Sequence, residues 1–154
     1  WVNGNFTETW QVAADGETFE LPPTGWVALQ ADRLFAFSGN RNGRRVDHAV
    51  TPAYTYVDAR GVRTTFRGVT TDGQTIILKR GETFEVIPVR ISREKPVDLI
   101  VNPRHLGMTS DRVELSAADR EGQIVKKLGT HASTESVRLR VDPPVFSLLL
   151  KASP

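Results

Sequence analysis

Ser136-Val137-Arg138-Leu139-Arg140-Val141 is the stretch that decides the fold class. Val137, Leu139 and Val141 alternate with Arg138 and Arg140, a period of two. That period puts the apolar side chains on one side of an extended strand and the cations on the other. An amphipathic helix would need apolar residues three and four apart. Downstream, Asp142-Pro143-Pro144 removes two ladder donors, and Val145–Lys151 reads as a last strand. Upstream, short alternating runs recur with Gly, Pro, Asn or Asp clusters between them at about eight to twelve residues, the spacing of a sandwich or barrel.

The first run sets Phe6, Trp10 and Val12 on one face and Thr7, Thr9 and Gln11 on the other, ending at the turn Ala14-Asp15-Gly16. Pro22-Pro23-Thr24-Gly25 is a turn or an edge, after which Trp26–Ala31 and Leu34–Ser38 are strands. Gly39-Asn40-Arg41-Asn42-Gly43 closes a hairpin to Arg44–Val50. Tyr54–Asp58 follows, and Ala59-Arg60-Gly61 turns it into Val62–Phe66. Beyond Gly68 come Thr75–Lys79, Thr83–Ile91, Val97–Val101, Val113–Ala117 and Gln123–Leu128. Residues 102 to 112 form the longest stretch without alternation. The expected fold is therefore all-β, an antiparallel sandwich of jelly-roll or Ig-like form with at least ten strands. All three Trp and both Tyr precede residue 68, while Val, Ile and Leu dominate afterwards. That shift suggests an aromatic-rich N-terminal unit over 1–68 and a C-terminal sandwich over 69–154, packed as one region.

The composition excludes more than it assigns. The 154 residues are 39% hydrophobic and 25% charged, ordinary values for a globular region. Twenty Lys and Arg against eighteen Asp and Glu leave a net charge of +2, and the cations are scattered beside turns. A nucleic-acid partner would require them clustered on one face. No apolar run is long enough to span a bilayer, so no membrane partner is expected. Without cysteine there is no disulfide, thiol nucleophile or Cys-ligated zinc. The chain opens at Trp1 with no basic-then-apolar leader, as a mature protein or an excised region would, and excision from a larger protein is the expectation.

No catalytic constellation is legible, and the expectation is a non-enzymatic chain. Gly-x-Ser-x-Gly and phosphate-loop patterns are missing. His48, His105 and His131 lie far apart and read as surface or hydrogen-bonded residues. The carboxylates lie mostly in turns or on polar strand faces, with nothing to pair them as glycoside hydrolysis requires. Asp119-Arg120-Glu121-Gly122 is an oxygen-rich turn that admits structural calcium, but no EF-hand ligand series accompanies it, so no metal or other cofactor is assigned.

The aromatic residues carry the binding hypothesis. Flat rings stack on the C–H faces of sugars, and Asn, Asp, Gln and Arg supply the hydrogen bonds. Tyr54 and Tyr56 share one strand face, Asp58 follows on it, and Arg60 stands in the turn beyond. Trp10 and Trp26 sit among apolar neighbours, which reads as core; Trp26 remains a binding candidate beside the tyrosines.

Thr18-Phe19-Glu20-Leu21-Pro22-Pro23-Thr24-Gly25-Trp26-Val27-Ala28 resembles β-rich regions that lie downstream of TIM-barrel catalytic domains in bacterial glycoside hydrolases. In those regions a strand ends in Leu-Pro-Pro-x-Gly and leads into an aromatic residue. Val46-Asp47-His48 and Tyr54-Thr55-Tyr56-Val57-Asp58 fit the same style, and the likeness spans about the first 65 residues. The resemblance implies a secreted, periplasmic or cell-surface bacterial location and a carbohydrate-binding accessory role. The implied partners are a polysaccharide or oligosaccharide and a neighbouring catalytic domain. It carries over no catalytic residue, since acid and nucleophile belong to the barrel. The alternative is a purely structural or protein-interaction sandwich of a cell-surface protein.

Overall fold

The computed structural model describes residues 1–31, 33–89, 96–142 and 145–153. It is all-β and antiparallel, with fifteen strands and no helix among these residues. Two open sheets face each other. The large one runs β1 (Trp10–Ala14), β2 (Glu17–Leu21), β4 (Leu34–Arg41), β5 (Arg44–Val50), β6 (Tyr54–Asp58), β9 (Gln74–Arg80), β10 (Thr83–Val89), β15 (Ser147–Ser153), β12 (Arg112–Ala118) and β13 (Ile124–Ala132), with β3 (Trp26–Gln30) also paired to β4. The small one is ordered β14 (Val137–Val141), β11 (Val97–Val101), β8 (Val69–Thr71), β7 (Thr64–Phe66). Pairing of β6 with β9 carries the large sheet past residue 68, and the β7–β8 hairpin straddles it.

Binary patterning explains the layering. Val137, Leu139 and Val141 are buried and Arg138 and Arg140 exposed. The apolar side of β14 meets Leu99 and Val101 of β11 and packs onto Val57, Ile77, Phe84, Val86, Leu148 and Leu150 of the large sheet. A second cluster, Phe19, Leu21, Val27, Phe37 and Val46, lies under the N-terminal strands, and Phe35 packs against both. Five rings close a circuit between them: Phe37 to Phe19 at 5.5 Å, Phe19 to Phe35 at 5.9 Å, Phe35 to Phe66 at 5.6 Å, Phe66 to His48 at 3.9 Å, and His48 to Phe37 at 6.2 Å.

Several local expectations are corrected. Phe6 is not on a strand face but 86% exposed, because Asn5 Oδ1 accepts the N–H groups of Thr7 (2.8 Å) and Glu8 (3.1 Å) and bends the chain before β1 begins. The hairpin after β4 turns on Asn42-Gly43 alone, with φ of 53° and 74°, and Gly39 lies inside the strand. A Cβ on Gly39 would come within 2.5 Å of the Phe37 ring and 2.6 Å of Glu20 O, so close packing selects glycine there. The last hairpin is longer than expected, since bulges let β13 follow β12 to Ala132. Arg90 and Ile91 of the expected strand 83–91, and Pro143 and Pro144 of the expected break, lie outside the described residues.

His48 is the largest departure. It is 1% exposed, neither ring nitrogen has a partner among the described residues, and it lies stacked on Phe66. Burial, with Arg41 nearby, lowers its pKa to about 4 against a small opposing effect of Asp47.

Two stability measurements follow from this core. Leu139→Ala should cost about 2–5 kcal/mol in urea unfolding, while Arg138→Ala should stay within about half a kcal/mol of wild type; equal losses would mean that the inward face is misassigned. For His48, the unfolded chain takes up a proton near pH 6.5 and the folded chain only near pH 4. Stability is therefore complete above the first value, falls between the two, and stops changing on this account below the second. Relative to His48→Leu, wild type should lose about 3 kcal/mol between pH 7 and pH 4. Parallel pH profiles for the two proteins would overturn this account.

Candidate functional site

The outward side of the large sheet carries the candidate residues. Val57 points into the core, so Tyr54, Tyr56 and Asp58 project together from the opposite side of β6, a strand paired on both edges. Successive rings along this strand stand about 6.6–7 Å apart. Tyr54 is 38% exposed and Tyr56 half-buried.

Cross-strand register builds two rows on this face. The first reads Trp26, Ser38, Asp47, Asp58, Gln74 across β3, β4, β5, β6 and β9. The second reads Ala28, Ala36, Ala49, Tyr56, Ile76, Ile87 and continues into β10. Three short alanine side chains thus form a low floor beside the Tyr56 ring. Trp26 stands three strands from Asp58, about 14 Å at ordinary strand spacing. It is 37% exposed, and Trp10 is 42% exposed, so the core reading of both tryptophans is corrected. Both lie at the margin of the large sheet, Trp10 on the terminal strand β1 and Trp26 at the start of β3.

The polar row is already organised. Arg60 folds back from its turn, and both its Nε (2.9 Å) and its Nη2 donate to Asp47 Oδ2. Asp58 Oδ1 accepts the Arg60 N–H at 2.9 Å, and its Oδ2 accepts from Gln74 Nε2 at 2.9 Å. Arg45 Nε and Nη2 reach Ser38 Oγ at 3.0 and 2.9 Å, and its Nη1 reaches Thr24 Oγ1 at 3.0 Å, beside Trp26. Partial burial, then the negative charges of Asp58 and Asp47, push the Tyr56 phenol above its usual pKa, partly offset by Arg60. The phenol is therefore held in its neutral form near the charges of Asp58 and Asp47.

Of the residues singled out from sequence, Tyr54, Tyr56, Asp58 and Arg60 come together, and Trp26 shares the face at a distance. Sequence reasoning missed Asp47, Gln74 and Arg45. Alternation along Arg44–Val50 put Asp47 on the polar side, but only register sets it opposite Asp58. In the acidic turn, Asp119 Oδ1 accepts the Gln123 N–H at 2.8 Å, the bond of an ordinary turn. Among the described residues no group of three or more His, Cys, Asp or Glu is placed to hold a metal. Comparison with protein-family models, with curated proteins and with solved structures gives no match to this chain.

Tyrosinate absorbance tests the electrostatics of this face. In Tyr54→Phe the remaining phenol, Tyr56, should titrate above pH 10, and Asp58→Asn should bring it part of the way down. A Tyr56 titration indifferent to Asp58→Asn would show that the Asp58 charge does not contribute to the shift.

Proposed function

We propose that this chain is a non-catalytic accessory region of a secreted bacterial polysaccharide-degrading enzyme, binding carbohydrate weakly through its Tyr54–Tyr56 face. The observation that carries the reading is the pair of outward tyrosines on a doubly paired strand, beside a row of sugar-compatible acceptors and donors. Asp47, Asp58 and Gln74 offer carboxylate and amide groups along one row with the Arg60 guanidinium folded against it, and Ala28, Ala36 and Ala49 lie in register with Tyr56 in the next row. Such a surface suits an extended chain of hydroxyls with apolar C–H faces. The resemblance of residues 18–28 to regions following glycoside hydrolase barrels supports the accessory role, the exported location and a neighbouring catalytic domain as partner.

One observation favours a second reading. The apolar row extends past Tyr56 through Ile76 and Ile87, with Leu78 beside them, which suits contact with a protein surface better than with sugar. A structural or protein-interaction sandwich would use that part of the face.

Two stacked rings bury little area, so affinity should lie on the order of micromolar to millimolar. Affinity electrophoresis through plant, algal and bacterial polysaccharides is the direct test. Wild type should be retarded by at least one of them, and Tyr54→Ala/Tyr56→Ala should run freely with its unfolding midpoint nearly unchanged. No retardation of wild type anywhere in the panel would transfer the assignment to protein contact.

A further inference from the structure

The open end of the sandwich beside Tyr54 holds a groove of different character. Three contiguous hollows of about 630, 220 and 320 Å³ run along it. The middle one is lined by Tyr54, Thr51, Thr55, Arg67, Lys79 and His105, together with apolar side chains, and among the described residues no carboxylate borders it. Asp15 and Glu82 border only the outer two. The two cations come from opposite layers: Lys79 from the inward side of β9, beyond Ile77, and Arg67 from the β7–β8 turn of the small sheet.

Both cations are held in place without being neutralised. The Arg67 guanidinium lies 5.2 Å from the Phe35 ring centre and 5.8 Å from that of Phe66, and Lys79 Nζ lies 5.7 Å from that of Phe84. An aromatic ring supplies no carboxylate or carbonyl acceptor, so these contacts leave the charge of Arg67 and Lys79 available to an anionic partner. Among the described residues no carboxylate is within ion-pair distance of Arg67 or Lys79. The turn beneath Arg67 is fixed as well. Arg67 and Gly68 have φ of 40° and 85°, Asn102 N donates to Gly68 O at 2.7 Å, and a Cβ on Gly68 would lie 2.7 Å from that of His105. A cation on a pinned turn loses little freedom when an anion arrives.

We infer that this end groove is an anion subsite for an acidic sugar residue, a uronate carboxylate or a sugar sulfate, continuous at Tyr54 with the ring face. The inference rests on the proposed carbohydrate reading and narrows it to acidic glycans. The outer face does not make that selection, because its guanidinium groups are already engaged, Arg60 with Asp47 and Arg45 with Ser38 and Thr24. The middle hollow falls below the few hundred Å³ of drug-sized sites, which suits one sugar unit better than a chain.

Titration calorimetry with trigalacturonate, a sulfated carrageenan oligosaccharide, neutral cellotriose and a single-stranded oligonucleotide tests this. At low salt at least one acidic saccharide should bind about tenfold tighter than cellotriose, and the advantage should shrink as salt screens it. Which acidic probe gains identifies carboxylate or sulfate. Lys79→Gln should remove the preference without altering the fold; Arg67→Gln should do the same, judged only where its unfolding midpoint matches wild type. Equal, tyrosine-dependent binding of acidic and neutral saccharides would overturn the subsite and leave the ring face standing. Acidic preference persisting in Tyr54→Ala/Tyr56→Ala would keep the subsite and overturn the ring face. Oligonucleotide binding as tight as that of the acidic saccharide, or no saccharide binding at all, would overturn the subsite.

Discussion

The circuit of five rings, Phe19, Phe35, Phe66, His48 and Phe37, is the contact on which the rest of the architecture depends. Phe66 is the member contributed by the small sheet, lying between Phe35 of β4 and His48 of β5. Tilted and offset aromatic pairs contribute about 0.5–1.5 kcal/mol each beyond the area they bury. Their larger consequence here is geometric. They tie a three-residue strand, β7, to the middle of the large sheet, and they join two apolar clusters into a single interior. The stack needs a neutral imidazole, because a proton on His48 would place a charge with no acceptor among four phenyl rings. An unbonded histidine is thus a structural cost at the centre of the core, compensated by ring contacts with Phe66 and Phe37.

The same strands present the candidate site on their other side. His48 points inward and Asp47 outward; Val57 points inward and Tyr56 and Asp58 outward; Phe37 points inward and Ser38 outward. Packing that fixes the inner side chains also fixes the pitch and register of the outer ones. Asp47 therefore lies opposite Asp58, close enough for Arg60 to bridge back to it. Two carboxylates side by side repel each other, and the Arg60 pair with the Gln74 amide relieves this without burying any of the four groups. A binding surface on centrally paired strands is stiffer than one on loops, which keeps down the ordering cost of a weak ligand.

Much of the fold was legible because the two-residue period survives in nearly every strand. The Val137–Val141 pattern and the shared face of Tyr54, Tyr56 and Asp58 need nothing beyond it. What failed were features where a tertiary contact overrides local pattern. Phe6 fits an alternating run, but Asn5 spends the nearby N–H groups on a turn. Gly39 looks like loop punctuation and instead makes room for the Phe37 ring. His48 looks like a surface residue until the partner strands close over it. Trp26 looks like core because its neighbours are apolar, yet period two puts it on the opposite side from Val27. Register is the common element, since no residue in one strand encodes its offset against the next, and the Asp47–Arg60–Asp58–Gln74 group exists only once register is set.

Tyr54 occupies the corner where two electrostatic environments meet. Along β6 its outward neighbours lead to Asp47 and Asp58, and across the end of the sandwich they lead to Arg67 and Lys79. An acidic polymer lying wholly on the face would meet the carboxylates, and a neutral one would gain nothing from the cations. A chain crossing the corner could set its C–H faces on the rings and one acidic group between Arg67 and Lys79, and so use both environments without opposing either. Screening at physiological ionic strength has a reach of about 8 Å. Charges on the two sides of the corner then act mainly on the sugar unit nearest to each, and the position of the acidic group along the chain becomes part of what the surface selects.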